Sequence, residues 1–203
     1  MTTQGPAGRA NQKQRTRTAI VDAARELIST SAEVTMPAVA RAALVSEATA
    51  YRYFPDLVSL LREAVDGTWL SPAAALAPVQ DCDDPVERIG FATEHLLRHV
   101  QRYQGAVRAT IAASIVRPGS EETRPGLRFG LIDQALAPIA VSGTLRPEAL
   151  AQLKQDLAIP VSAEALFTLT DLCGLSPDEA IASAVRAARV MTAAALAAAT
   201  DSS

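Results

Sequence analysis

At 203 residues, with 49% hydrophobic and 20% charged side chains, the chain is long enough for one or two domains with real cores, and its composition excludes a disordered, collagenous or disulfide-stapled protein. Aromatic residues at 4% and an alanine excess favour helices over sheets, so the fold class expected is all-α. A net charge of −3 and a pI near 5.4 argue against a nucleic-acid partner for the chain as a whole, but residues 1–55 hold seven basic against four acidic residues, a net +3 that leaves −6 for the remainder. An electropositive end on an acidic body fits a protein in which one domain meets phosphate, although a basic tail can equally be solvated and without a partner.

The first eighteen residues are polar and basic, without the apolar core of a signal peptide, and no apolar run approaches a membrane span. The expectation is a cytoplasmic protein with no membrane partner. Cys82 and Cys173 are too few and too isolated for a disulfide framework and read as reduced thiols. Residues 1–14 read as a basic flexible arm. A first helix is predicted from about Arg15 to Ser29, with Ile20, Ala23, Ala24, Leu27 and Ile28 on one apolar face.

Two short helices follow in close succession. Thr35 caps one whose apolar positions are Met36, Val39, Ala40 and Ala43, Ser46 caps another running to Phe54, and only Leu44 and Val45 lie between. That is the sequence form of a helix-turn-helix, whose second helix enters the DNA major groove. Pro55 forces Phe54 out of helical geometry, and Asp56 caps a connector helix carrying Leu57, Leu60, Leu61, Ala64 and Val65 toward Trp69. Residues 70–83, with Pro72 and Pro78, read as a loop or broken helix end.

Five further helices are expected. One runs from Asp84-Pro85 toward Tyr103, and one spans Gly105 to Val116 before Pro118-Gly119. Ser120 to Arg124 is a polar loop, and Pro125 then opens a helix with Leu127, Leu131, Ala135 and Leu136 inward. Pro147 starts the next, which carries Leu150, Leu153, Leu157, Leu166 and Leu169 and should kink at Pro160. The last begins at Ser176-Pro177-Asp178-Glu179, a capping box with proline at the first helical position.

The run VSEATAYRYFP, preceded by VARAA and by the helix RTRTAIVDAARELIS, resembles the N-terminal DNA-binding domain of the TetR-type (tetracycline-repressor-like) transcriptional regulators. The resemblance implies about nine helices, with a three-helix helix-turn-helix domain and connector over residues 15–66 and an effector-binding and dimerisation domain over residues 67–203. It further implies that the last two helices pair with their copies in a second subunit. Ala182, Ala184, Ala187, Ala188, Ala193 and Ala194 would permit such close approach, and would serve equally in an intramolecular bundle.

By the same resemblance, Thr49, Tyr51 and Tyr53 are expected to contact phosphate or a thymine methyl, and Thr35 to bind phosphate. Ser46, Glu47, Ala48 and Arg52 complete the reading surface: Glu47 can accept from a cytosine amino group, and Arg52 can reach phosphate or a guanine edge. Lys13, Arg15 and Arg17 supply backbone contacts from the arm. For Tyr51 a core role is the alternative. The family's turn glycine is Leu44 here and its phosphate-binding lysine is Leu57; the strain of a left-handed leucine, about 1 kcal/mol, predicts a rearranged turn, and the leucine at 57 a missing anchor.

The resemblance together with helical phase suggests Trp69, Phe91, His95, Val107, Ile111, Phe129, Asp133 and Phe167 as the lining of an effector site, against a plain hydrophobic core. His95 and His99 stand one turn apart, a spacing that can bind a metal, but no HExxH motif is present and a third ligand would have to come from Cys82, Glu94 or elsewhere, so no metal and no cofactor are expected. Without a phosphate loop, nucleophile elbow or CxxC, the chain is not expected to be an enzyme. The partners expected are double-stranded DNA, an unidentified small-molecule effector and a second copy of the chain, in a ligand-responsive repressor that binds a palindromic operator. The competing class is a small-molecule-binding or helical interaction protein that has lost operator binding.

Overall fold

A computed structural model describes residues 6–29, 34–116 and 126–200, and every regular element among them is helical. In chain order these are α1 (Pro6–Ser29), α2 (Met36–Ala42), α3 (Glu47–Tyr53), α4 (Leu57–Asp66), α5 (Pro72–Ala75), a 3₁₀ turn (Ala77–Val79), α6 (Pro85–Arg102), α7 (Gln104–Val116), α8 (Leu127–Ala135), α9 (Ala137–Ser142), α10 (Pro147–Leu157), α11 (Ala163–Asp171) and α12 (Pro177–Thr200). Pro118-Gly119, the loop Ser120 to Arg124 and Pro125 lie outside the described residues. The helices fall into two units. One holds α1–α4 and α7; the other holds α5, α6 and α8–α12.

In the first unit the apolar stripe of α1 (Ile20, Val21, Ala23, Ala24, Ile28) packs with Met36, Val39 and Ala40 of α2, Ala50 and Phe54 of the α3 end, and Leu60, Leu61, Ala64 and Val65 of α4. Ala106 of α7 is buried in the same core, and Tyr103, Val107 and Ala109 pack against it. The sequence reading assigned this helix to the C-terminal domain. Helix α1 also begins nine residues earlier than expected, so the part of the basic segment from Pro6 onward is helical.

In the second unit α6 and α12 are the main packed pair. Small and self-satisfied residues allow the close approach: Ala184 and Ala188 are buried on α12, and the buried hydroxyls of Thr93 and Thr192 donate to the carbonyls of Ile89 (2.7 Å) and Ala188 (3.0 Å). Two of the six alanines expected at a subunit interface, Ala184 and Ala188, are therefore used inside the chain, while Ala182, Ala187, Ala193 and Ala194 stay exposed. Helix α12 is long and apolar enough to cross a membrane by length and composition, the consequence of its alanine content.

One helix predicted as continuous is broken at Pro160, and α8 is followed at once by a short helix, α9, that the sequence reading does not assign. Pro138 lacks the N–H that would pair with the Gln134 carbonyl, and the chain turns at Leu136 (ψ 6°) into α9. Arg88, only 4% exposed, fills the gap: its Nη2 donates to the Gln134 carbonyl (2.8 Å), its Nε to that of Ala135 (3.0 Å), and its Nη1 to those of Val79 (2.6 Å) and Cys82 (3.1 Å). One buried cation thus ties the 3₁₀ turn to the carbonyl end of α8, where the helix dipole favours it. Pro160, expected to kink a helix, ends one instead. Ser162 starts α11 by accepting from Ala165 N (3.0 Å), and its own hydroxyl donates to the Ile159 carbonyl (2.7 Å), so the break is better capped than a kink would be.

Candidate nucleic-acid interface

Helix α2 starts where Thr35 Oγ1 accepts from Ala38 N (3.3 Å) and ends in a left-handed turn. There Leu44 N donates to the Arg41 carbonyl (3.1 Å) and Val45 N to that of Ala40 (2.9 Å), the paired bonds of a Schellman motif. Leu44 takes the position that favours glycine, with φ 55°, and its side chain is 93% exposed. The turn is therefore not rearranged as expected: Leu44 accepts the left-handed conformation, and both hydrogen bonds of the motif are made. Val45 packs back on the core and sets the angle at which α3 leaves.

Helix α3 opens on Ser46, whose Oγ accepts from Thr49 N (3.2 Å) and shares a hydrogen bond with Thr49 Oγ1 (2.9 Å). Its inward positions are Ala50 and Phe54, both buried. Helical spacing then turns Glu47, Ala48, Tyr51 and Arg52 outward, and all four are exposed; Tyr51 at 48% offers ring and hydroxyl together. Tyr53 is half-buried on the core, with the Arg52 guanidinium 5.6 Å from its ring centroid. Thr35 and Thr49 are half-buried, and Ser46 is exposed.

The three cations expected to form an arm differ in placement. Lys13 and Arg15 are exposed on α1. Arg17 is held by the domain itself: its Nε donates to Glu63 Oε1 (3.0 Å), Nη2 pairs with Glu63 Oε2, Nη1 donates to the Tyr53 carbonyl (3.3 Å), and the group lies 4.4 Å over the Phe54 ring. It joins α1 to α4 and to the end of α3. The signal was legible, since Arg17 lies one turn ahead of Ile20 and Ala24 on the buried stripe. A second cation, Arg25, donates from Nε to the Ala64 carbonyl (2.9 Å) and from Nη1 to Asp22 (2.9 Å). It passes so close to Gly67 that a Cβ there would sit 2.0 Å from its Nη2, so a side chain at this position would displace the Arg25 guanidinium. Leu57 is half-buried and packs on the core at the first turn of α4.

The residues expected to line an effector site belong to both units. Trp69 and Val107 pack on the core of the first unit, and Ile111 is half-buried on α7. In the second unit Phe129 is half-exposed on α8, Asp133 pairs with Lys154 at the surface (2.7 Å), and Phe167 is half-buried on α11. Phe91 and His95 do meet, with ring centroids 6.5 Å apart, and together with Glu94, Arg98, His99 and Arg102 they line an open cleft of about 370 Å³ along α6. Burial, then the nearby His95 and the cation of Arg102, push His99 down to about 4, so it is neutral at neutral pH. Among the described residues no group of three His, Cys, Asp or Glu side chains is placed to hold a metal ion.

Residues 20–64, which span these four N-terminal helices, match the family described as bacterial regulatory proteins, tetR family. The chain carries the DNA-binding domain of a TetR-type regulator. The domain as matched runs from the buried stripe of α1 to Ala64 near the end of α4, and so covers the capped turn and the outward face of α3. Among solved structures, that of NalD from Pseudomonas aeruginosa, the secondary repressor of the MexAB-OprM multidrug efflux pump, aligns at 21% identity over 87% of this chain and 95% of that one, with a TM-score of 0.47. No curated protein matches the chain.

Proposed function

We propose that this TetR-type regulator is a homodimeric, ligand-responsive transcriptional repressor in the cytoplasm, without enzymatic activity, binding a palindromic operator through α3 of each subunit. The observation that carries the reading is the division of α3 into a buried edge, Ala50 and Phe54, and an exposed edge, Glu47, Ala48, Tyr51 and Arg52, held at a fixed angle by the capped turn before it. A helix so presented suits the major groove. Thr35, Ser46, Thr49 and Tyr53 flank this edge as phosphate-contacting positions, with Lys13 and Arg15 adding charge from α1. Arg17 contributes by holding α1, α3 and α4 together.

Two-fold pairing supplies the symmetry that paired half-sites require. The exposed alanines of α12, with Val185 and Val190 near them, support a helical interface with a second copy. For the effector, Phe91 and His95 on α6 are the pair that supports a binding role. An effector acts by favouring one conformation of the dimer over another.

Selection of bound sequences from random duplex DNA, followed by gel shift and light scattering, tests the reading. An enriched inverted repeat bound by a dimer is the expected result. Binding that is salt-sensitive and blind to sequence would overturn it.

A further inference from the structure

The operator-binding reading leaves open which side chain selects which base. In the first turn of α3 the hydrogen-bonding groups are already apportioned. The Ser46 hydroxyl caps the helix and is bonded to that of Thr49, and Ala48 offers only a methyl. Glu47 is exposed, and among the described residues it has neither a hydrogen bond nor an ion pair. Arg52 lies in the last turn, its guanidinium near the Tyr53 ring, where a phosphate contact suits it better than a base edge.

We propose that Glu47 is the specificity-determining residue of the operator, requiring a cytosine at one position of each half-site; this rests on the proposed operator binding. A carboxylate carried into a groove walled by phosphates is unfavourable unless a donor meets it. Only two bases present a donor in the major groove. Cytosine offers its N4 amino group and no acceptor beside it, whereas adenine sets the N7 acceptor next to its N6 amino group; guanine O6 and N7 and thymine O4 are acceptors that repel the carboxylate. Glu47 therefore selects chiefly by rejecting the other bases.

The test is selection from random duplexes with the wild-type chain, Glu47→Ala and Glu47→Gln, with binding constants then measured on operators altered at single positions. The wild type should enrich cytosine at one position per half-site and lose about tenfold to a hundredfold in affinity when that base is changed. Glu47→Ala should accept all four bases there while keeping its preferences elsewhere. Glu47→Gln should shift the preference toward adenine, because an amide can donate to N7 while accepting from N6. Both variants should melt as the wild type does, since the side chain is exposed. An unchanged single-base preference in Glu47→Ala, or a wild-type motif without such a cytosine, would overturn the assignment and leave operator binding intact. A wild-type chain that enriches no motif would instead overturn the operator reading, and this assignment with it.

Discussion

Leu44→Gly should make the DNA-binding unit more stable, although it deletes the largest side chain in the turn. Leucine at φ 55° holds its Cβ against the following carbonyl, which costs about 1–2 kcal/mol for a residue with a side chain. The side chain is 93% exposed, so its removal uncovers almost no packing. The offsetting loss is the greater freedom of glycine in the unfolded chain, about 0.5–1 kcal/mol. A net gain of roughly 0.5–1 kcal/mol remains. Both turn hydrogen bonds, from Leu44 N and Val45 N, are backbone groups and survive the change. Leu44→Ala is the control, because it keeps the Cβ and hence most of the strain. Urea unfolding followed by far-ultraviolet circular dichroism should show a higher midpoint for the glycine variant at an unchanged slope, with the alanine variant near wild type. A glycine variant no more stable than the alanine one would refute the argument, and would mean the turn tolerates leucine without strain.

Other substitutions probe the remaining contacts. Leu57→Lys should lower stability by about 1 kcal/mol, because the leucine packs on the core, and should leave the slope of log affinity against log salt unchanged; a slope steeper by about one unit would show that the new cation reaches phosphate. Arg88→Met should cost about 3 kcal/mol or more by stranding the carbonyls at the end of α8 and in the 3₁₀ turn, and Arg88→Lys should recover only part of that, both read from denaturant midpoints. Tyr51→Phe should weaken operator binding by about 1–3 kcal/mol in gel shifts with helix content unchanged, provided its exposed hydroxyl contacts DNA. The pH dependence has a defined sign at His99: its folded value near 4 lies below the ordinary 6.5, so the unfolded chain binds more protons between those values and stability falls as pH drops from about 6.5 to 4. His99→Gln should flatten stability in that window, measured by thermal melting at a series of pH values.

What the amino-acid order made legible was mostly local chemistry. Thr35, Ser46 and Asp56 were readable as caps because a short polar side chain followed by an apolar period has few other uses, and each accepts the backbone N–H three residues on. The capping box at the last helix is equally local: Ser176 N donates to Glu179 Oε2 (2.9 Å) while Glu179 N donates to Ser176 Oγ (3.4 Å). The carboxylate is held below its ordinary range by the hydroxyl and amide of Ser176. Even the strain at Leu44 followed from residue type and turn length alone.

Contacts between distant segments were not legible in the same way. Periodicity marks α7 as having an apolar face but does not say which core that face joins, and Ala106 is too small to carry a preference of its own. A proline announces a lost donor without announcing the remedy. At Pro160 the remedy is local, the Ser162 cap, and a serine two residues beyond a proline is a readable sign of a new helix rather than a bend. At Pro138 the remedy is Arg88, some fifty positions earlier in the chain, and nothing in either neighbourhood points to the other. Arg17 stands between these cases: its place on the α1 stripe marks it as facing inward, but the carboxylate that receives it, Glu63, is on another helix. Basic residues near a DNA-binding helix are therefore poorly sorted by charge alone. Phase sorts them better where the stripe is packed, because a cation in register with it there, such as Arg17, is bound by its own fold, while one off the stripe, as Arg15 is, is left available to phosphate; Lys13 shares the register but lies one turn ahead of Arg17 and is exposed.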